Sequence, residues 1–450
     1  MRFRARTDRI RFERLAWFQP QGWTLPAGVP SLVALLALLV LPPVPLNTSL
    51  NAQGGGAEWP QLGGPTRDFR IPAASIARTW PEAGPRQRWR RALGEGYSSV
   101  LVDGTTLVTM YRRGDSEVVV ALDSATGKTR WEYAYPAPLT HDGYFDVWLN
   151  AAGPGPYSSP LIADGMAFAV GVTGQFHALD LRTGAVRWSR DLVSLLDGSD
   201  YNAFASSPLA YGDTVILPLG GSDRGLVAFK RSSGDIAWRG EPFALGPGSP
   251  ILINVDGRPE LVVWGQTELA GMDPQSGRVL WRHPHAAEHG LNISTPVWSS
   301  GNRLFASSAY GGGSRMLRLA RTGNRTTPTE LWANGRMRLH FGSSLVLGNL
   351  IVGSSGDFGP AFLVALNAET GAELWRERTF ARAQLVDVGG TLIIVDEDGD
   401  VAVASASEAG LRVHARKTLL TSNAWTPPTV VGSTVYLRDR KEILALDLGH

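Results

Sequence analysis

The chain has 450 residues, of which 43% are hydrophobic and 19% charged, with 52 glycines, 29 prolines and no cysteine. That share of apolar side chains can bury a large core, and the dense glycine and proline punctuation suits many short strands better than long helices. Without cysteine there is no disulfide, iron–sulfur cluster, covalent c-type haem, cysteine-based zinc site or lipidated N-terminal cysteine.

The formal net charge of +2 is uneven: the leader carries Arg2, Arg4, Arg6, Arg9, Arg11 and Arg14 against Asp8 and Glu13. Six arginines less two acids is +4, which leaves about −2 for the remainder and removes the only support for nucleic-acid binding. The apolar run SLVALLALLVL at 31–41 ends in Pro42, Pro43 and Pro45. It is too short for a membrane-spanning helix, which takes about 20 residues. Residues 1–52 therefore read as an export signal cleaved near Ala52, or as an uncleaved N-terminal anchor, the one part that would meet a membrane. No twin-arginine pair precedes the run, which favours the general secretory route and a periplasmic or extracellular destination. Residues 53–85 read as an extended segment ahead of one repeat domain over 86–450.

The domain is announced by ALDSATGKTRW at 121–131, which returns as ALDLRTGAVRW, AFKRSSGDIAW, GMDPQSGRVLW and ALNAETGAELW from Ala178, Ala228, Gly271 and Ala365. The tryptophans Trp131, Trp188, Trp238, Trp281, Trp332 and Trp375 are 57, 50, 43, 51 and 43 residues apart. Such periods mean four-stranded propeller blades or comparable solenoid units. In the first unit SSVLVDG leads to TLVTMY, EVVVALD reads as an alternating strand, SATGK turns and TRWEY returns. Asp123, Asp180 and Asp273 are placed to accept backbone N–H groups of the turn, and Gly127, Gly184, Gly234, Gly277 and Gly371 to supply positive φ. Each of these five glycines is followed four residues later by a tryptophan on the outer strand. There its indole is expected to pack on the neighbouring blade while the N–H finds a carbonyl.

The ends of the chain complement each other. EILALDLGH reaches Ala445 and Asp447 of the motif and stops, while PRQRWRRAL presents Trp89 with no turn before it. The missing outer strand of the last blade is thus expected from residues near 86–93, closing the ring and removing exposed edges. The count is eight blades, with seven as the alternative. The fifth is irregular, since NRTTP lies between Gly323 and Trp332; the seventh, at 408–416, has His414 where tryptophan is expected.

ALDSATGKTRW resembles the tryptophan-docking motif of the pyrroloquinoline-quinone (PQQ) repeat, shared by quinoprotein alcohol dehydrogenases and BamB-type propellers of outer-membrane protein assembly. EWPQLGGPTRDF at 58–69 resembles the WPQ-x-x-GP-x-RD opening of exported bacterial propellers in this superfamily. The resemblance implies the fold but not one activity, because members with and without the quinone share these motifs. Quinoprotein members place adjacent half-cystines over the quinone, which this chain cannot make, and hold calcium with carboxylate and amide ligands that no motif here locates. The leading expectation is a non-catalytic binding or scaffold protein without a cofactor, taking a protein partner or small ligand on its loop face. The alternative is a PQQ- and calcium-dependent alcohol or sugar dehydrogenase.

Candidate site residues lie in three long connections. Residues 132–157 hold His141, Asp142, Tyr144, Asp146, Trp148 and Asn150; residues 190–204 hold Asp197, Asp200, Tyr201 and Asn202; residues 282–292 hold His283, His285, Glu288 and His289. His283, His285 and His289 have a spacing open to zinc or another transition metal, or belong to a solvated loop between Pro284 and Gly290. Asp142, Asp146, Asp197 and Asp200 either gather for calcium or simply form turns. Tyr97, Tyr157, Phe204, Phe341 and Trp425, with Arg382 and His340 near their level, line a funnel for a flat ligand or peptide, or plug the channel. Asp142, Asp146, Trp148, Asp200, Asn202 and Trp425 are the candidates for contacting a cofactor.

Overall fold

A computed structural model describes residues 58–139, 153–196, 204–219, 225–357 and 359–449. Blade 1 sets the pattern: Leu101–Asp103, Thr106–Arg113, Ser116–Asp123 and Thr129–Pro136 form an antiparallel meander. EVVVALD does not alternate as expected. Val118 through Leu122 are all fully buried, because a blade is covered on both faces by its neighbours, and apolar side chains are needed on both.

Six further blades repeat the meander. Their first and last strands are Leu161–Ala163 and Val186–Asp191, Leu209–Tyr211 and Ile236–Arg239, Ile251–Val255 and Val279–Pro284, Val297–Ser299 and Arg325–Asn334, Leu339–Leu347 and Glu373–Glu377, and Gln384–Val388 and Gly410–Thr418. Blade 8 is built from both ends of the domain, with Arg86–Ala92 pairing antiparallel to Glu442–Asp447 and Trp89 opposite Ala445. Eight blades close the ring through that pair, as the chain ends implied. In blade 5 the insert lengthens one hairpin, Gly313–Thr322 with Arg325–Asn334, and leaves the topology unchanged. Helix among the described residues is limited to two three-residue turns, Ser194–Leu196 and Glu288–Gly290.

Every outer strand carries a bulge one residue before the tryptophan position. In blade 1 Ala121 faces Trp131 while Leu122 faces Thr129. Blade 7 has the same shift, with Val403 opposite Ala415 and Ala404 opposite Val413. His414 is therefore the bulged residue, and Ala415, rather than His414, stands where the other blades have tryptophan.

Five of the eight seams share one geometry. The indoles of Trp89, Trp131, Trp188, Trp332 and Trp375 donate to the carbonyls of Ser124, Leu181, Arg231, Ala368 and Ser407 in the next blade, at 2.8–3.0 Å. A Cβ on Gly184 would lie 2.6 Å from the Trp131 ring, and one on Gly277 2.6 Å from Trp238. The motif glycine thus combines positive φ with room for the preceding blade's indole. The turn aspartate also behaves as expected: Asp123 accepts from the Thr126 N–H and hydroxyl and pairs with Arg130 at 2.8 Å. These bonds, the Arg130 one foremost, lower its carboxyl to about 2. Trp281 departs from the pattern and donates to the buried Glu260 carboxylate of its own blade at 2.8 Å.

The segment before Arg86 crosses one end of the ring. Glu58–Trp59 pairs with the first strand of blade 1, and Arg70–Ile71 runs parallel to the first strand of blade 7. Between them Ile162 N–H of blade 2 donates to Pro60 O, and Arg67 donates to Ser207 O and Pro208 O of blade 3 at 2.9 and 2.8 Å. Arg70 bonds Asp387 of blade 7 and Val346 O of blade 6. Trp59 is 1% exposed, Phe69 2% and Arg67 3%, so this end of the axial channel is filled by the chain's own residues. Burial pushes the Arg67 guanidinium down to about 9.

Candidate functional site at the loop face

The opposite end of the ring is formed by the connections that lead into each first strand. Tyr97 precedes blade 1, Tyr157 precedes blade 2 and Trp425 precedes blade 8, while Phe341 lies in the first strand of blade 6. The rings meet in sequence: Tyr157 on Tyr97 at 6.3 Å, Tyr97 on Trp425 at 5.2 Å, Trp425 on Phe341 at 4.6 Å. His340 continues the arc, 4.4 Å from Phe341 and 5.1 Å from Tyr310. Rings from blades 6 and 8 can touch across blade 7 only near the axis, so the arc lines the mouth of the channel. Phe204 does not join it. Its ring packs above Gly174 in the core of blades 2 and 3, and its N–H donates to Val172 O.

Among the described residues two ion pairs flank the arc. Arg382 bonds Glu397 at 2.6 Å and the carbonyls of Asp357 and Gly359, and Trp425 Nε1 donates to the other oxygen of Glu397 at 3.2 Å. Arg440 bonds Glu95 at 2.6 Å. Burial raises the Tyr97 phenol above its usual value and lowers His340 to about 4, Arg382 adding to the second shift. Arg438 anchors the floor, donating to Ser98 O, Thr109 Oγ1 and Met110 O from a fully buried position.

Below the arc lies a belt that the sequence reading missed. Ser99 N–H donates to Ser159 Oγ, Ser159 N–H to Ser207 Oγ and Ser207 N–H to Ser249 Oγ, each at 2.9 Å. Ser343 N–H makes the equivalent bond to Gln384 Oε1 at 3.1 Å. A backbone N–H just ahead of a first strand faces the next blade and has no ladder partner there, so a hydroxyl from that blade satisfies it. The available signal was the Ser-Pro or Thr-Pro pair two residues before a first strand, at Ser159, Ser207, Ser249 and Thr295.

The histidines do not converge. His285 is 1% exposed; its Nδ1 accepts from Arg315 at 2.7 Å and its Nε2 meets Ser308 Oγ at 2.7 Å. Burial, with Arg315 beside it, lowers it to about 3. His283 Nε2 bonds Glu330, and His289 is exposed at positive φ in the Glu288–Gly290 turn. Among the described residues no three His, Asp or Glu side chains gather as a metal site. Asp142, Asp146, Trp148, Asp200 and Asn202, with His141, Tyr144, Asn150, Asp197 and Tyr201, lie outside the described residues.

A calcium-bound quinone would require several carboxylate and amide oxygens free to converge, since calcium takes about six to eight oxygen ligands. The described carboxylates at the mouth do not fit: Glu95 and Glu397 are held by Arg440 and Arg382, and Asp357 lies 3.9 Å from Arg338.

Fold and seams together define an eight-bladed propeller of tryptophan-docked PQQ repeats. Residues 74–248, 202–361 and 324–449 match the family described as outer membrane protein assembly factor BamB, and the chain belongs to this PQQ-repeat family. Its fold is similar to BamB from Moraxella catarrhalis, at 20% identity and a TM-score of 0.58 over 81% of this chain and 98% of that one. It is also similar to quinohemoprotein alcohol dehydrogenase from Comamonas testosteroni, at 13% identity and a TM-score of 0.59 over 87% and 81%. The computationally designed Ika8 protein matches at 12% identity and a TM-score of 0.53 over 81% and 100%. At these identities the likeness shows the fold alone. No curated protein matches the sequence. Among the described residues no helix is long and apolar enough to cross a membrane.

Proposed function

We propose that this chain is an exported, non-catalytic binding protein whose loop face receives a protein partner, in keeping with the assembly-factor description of its family. The observation that carries the reading is the aromatic arc of Tyr157, Tyr97, Trp425 and Phe341, flanked by the ion pairs Arg382–Glu397 and Arg440–Glu95. Tyrosine, tryptophan and arginine dominate the energetics of protein interfaces, and rings already stacked on one another lose little conformational freedom when a partner seats on them. The plug of residues 58–71 supports the same reading, since it closes the far end of the channel.

The competing reading is a PQQ- and calcium-dependent dehydrogenase. Purified full-length chain mixed with the quinone and calcium is expected to lose all quinone absorbance on gel filtration and to reduce no dye with alcohols or sugars. Stoichiometric retention with turnover overturns the proposal. A photo-crosslinking residue at position 341 is expected to trap one partner polypeptide in the native host, and Trp425→Ala to abolish the adduct. An adduct unaffected by that change would place the contact elsewhere and refute the site.

A further inference from the structure

One buried ion pair ties blade 1 to blade 2 close to the arc. Glu117, fully buried on the third strand of blade 1, faces Arg112 on the second at 3.4 Å, and Arg112 is itself only 6% exposed. The Glu117 carboxylate also crosses the seam. It accepts the Val172 N–H of blade 2 at 3.1 Å and the Tyr135 hydroxyl of its own outer strand at 3.0 Å. A Cβ on Gly171 would run into both that carboxylate and that hydroxyl, so blade 2 offers glycine where Glu117 reaches it.

Other donors of Arg112 reach the chain that leaves blade 1 and the chain that enters blade 2. Nη1 donates to Ala137 O at 2.8 Å, just after the outer strand, and Nε to Pro154 O at 3.1 Å, three residues ahead of Tyr157. Tyr157 in turn donates to Gly153 O, and Tyr97 N–H donates to Pro156 O at 2.9 Å. Two members of the arc thus lean on a stretch that one guanidinium holds, and one carboxylate holds that guanidinium. Burial raises the Glu117 carboxyl above its ordinary 4.5, against the lowering by Arg112, Tyr135 and Val172. The Tyr135 phenol is itself raised by burial and by Glu117, so it stays protonated. The remaining titratable groups at this seam are Tyr133, His177 and Glu95. The His177 ring lies 4.4 Å from Tyr135 and is lowered by burial to about 4, and Glu95 is paired with Arg440.

We propose that the Arg112–Glu117 pair is an acid-sensitive tie, which keeps Tyr157 and Tyr97 in their receptive arrangement and frees them when Glu117 takes up a proton from solvent. The inference rests on the loop-face reading, to which it adds regulation: the partner is held at neutral pH and released in mild acid. Proton uptake leaves the Arg112 charge buried without a counterion, an arrangement proteins avoid, so the guanidinium turns to water and lets go of Ala137 O and Pro154 O. Ionised Glu117 costs stability at neutral pH because its folded value lies above its unfolded one, and that cost disappears as pH falls through the folded value. Protonation therefore favours the folded ring, and the tie opens within an intact blade.

The test uses full-length chain carrying 3-fluorotyrosine, the Tyr157 resonance being assigned among ten tyrosines by its loss in Tyr157→Phe. From about pH 7.5 to about 4.5 that resonance is expected to move in one titration step while thermal unfolding stays cooperative. The midpoint should lie above 4.5. Glu117→Gln, the neutral isostere, should hold the resonance at its acid position throughout. Tyr135→Phe, which removes a donor that favours the ionised carboxylate, should raise the midpoint, and His177→Gln should leave it in place. A step that survives in Glu117→Gln belongs to another group, Glu95 foremost, and overturns the inference, as does a resonance that stays still. If Glu117→Gln fails to fold, Tyr135→Phe decides, an unchanged or lowered midpoint being the refuting result. The readout needs no partner, so its failure is distinguishable from a failed crosslink at the loop face.

Discussion

The double role of the motif glycine can be isolated by a matched pair in blade 2. Gly184 and Gly165 have φ of +74° and +69°, but a Cβ on Gly184 would lie 2.6 Å from the Trp131 ring whereas one on Gly165 would meet nothing within 4 Å. Alanine at either position bears the left-handed penalty of roughly 1–2 kcal/mol. Alanine at 184 must also displace an indole that packs across the seam and holds Leu181 O, which adds about 1–3 kcal/mol of overpacking. Gly184→Ala should therefore lower unfolding stability by about 1–3 kcal/mol more than Gly165→Ala. Urea titration of the full chain, followed by tryptophan fluorescence with m-values compared, reads the difference. Adding Trp131→Val to Gly184→Ala should recover part of the excess, because the clash has gone, and a double-mutant cycle gives the coupling. Equal losses at 165 and 184, or no coupling to Trp131, would refute the idea that the glycine exists to admit the neighbouring indole.

Two further predictions concern the plug and the buried histidines. Trp59→Ala should cost about 3–5 kcal/mol, since the ring is almost wholly buried against the first strand of blade 1, and should speed hydrogen exchange at Val102, its pairing partner; a loss under about 1 kcal/mol would mean that the segment merely rests on the ring. Burial lowers His177 to about 4 and His285 to about 3, whereas an unfolded histidine titrates near 6.5. The unfolded chain then binds protons first as pH falls, so these groups hold full stability above about pH 6.5 and lose it progressively down to about 4 and 3 respectively. His285→Gln should flatten the stability slope between pH 6 and 4.5 by up to about 1.4 kcal/mol per pH unit, and an unchanged slope would refute the assignment. Asp123, lowered to about 2, acts in a separate window, losing its contribution as pH drops from about 4 to about 2.

The blades were legible because each copy solves the same local problem with the same residues. Asp123, Gly127 and Trp131 sit within one hairpin and one seam, and their spacing survives in the sequence. Ring closure was legible for the same reason, since Trp89 and Asp447 are two halves of one motif. The belt was not, because its members occur singly and acquire a role only when Ser99 meets Ser159 and Ser207 meets Ser249, 60 and 42 residues apart. The plug was less visible still, for Arg67 finds its carbonyl partners about 140 residues away. The histidines misled through spacing: sequence proximity said nothing of Arg315, which takes the Nδ1 a metal would have needed.

Blade 7 shows why register, rather than counting, assigns a repeat. His414 follows Gly410 by four residues, as Trp131 follows Gly127, but Gly410 pairs directly with Ser407 across a two-residue turn and is not the motif glycine. Setting the bulge in register moves the tryptophan position to Ala415. The loss there and the strap before Arg86 then form one arrangement. Ala77 N–H takes the Leu448 carbonyl, Trp80 lies in the groove beside Ala415, and Lys417 ties Glu82 O to the strand. Trp281 answers a related defect differently, since the lengthened hairpin of blade 5 replaces the usual turn and its N–H goes instead to Glu260. Where a neighbour lacks the standard turn or a blade lacks the standard tryptophan, the Trp281 N–H and the Leu448 carbonyl find partners in whatever chain lies nearest, as buried polar groups require. Residues 58–92 consequently belong to the ring at three places, across its axis, over its seventh seam and as its eighth outer strand.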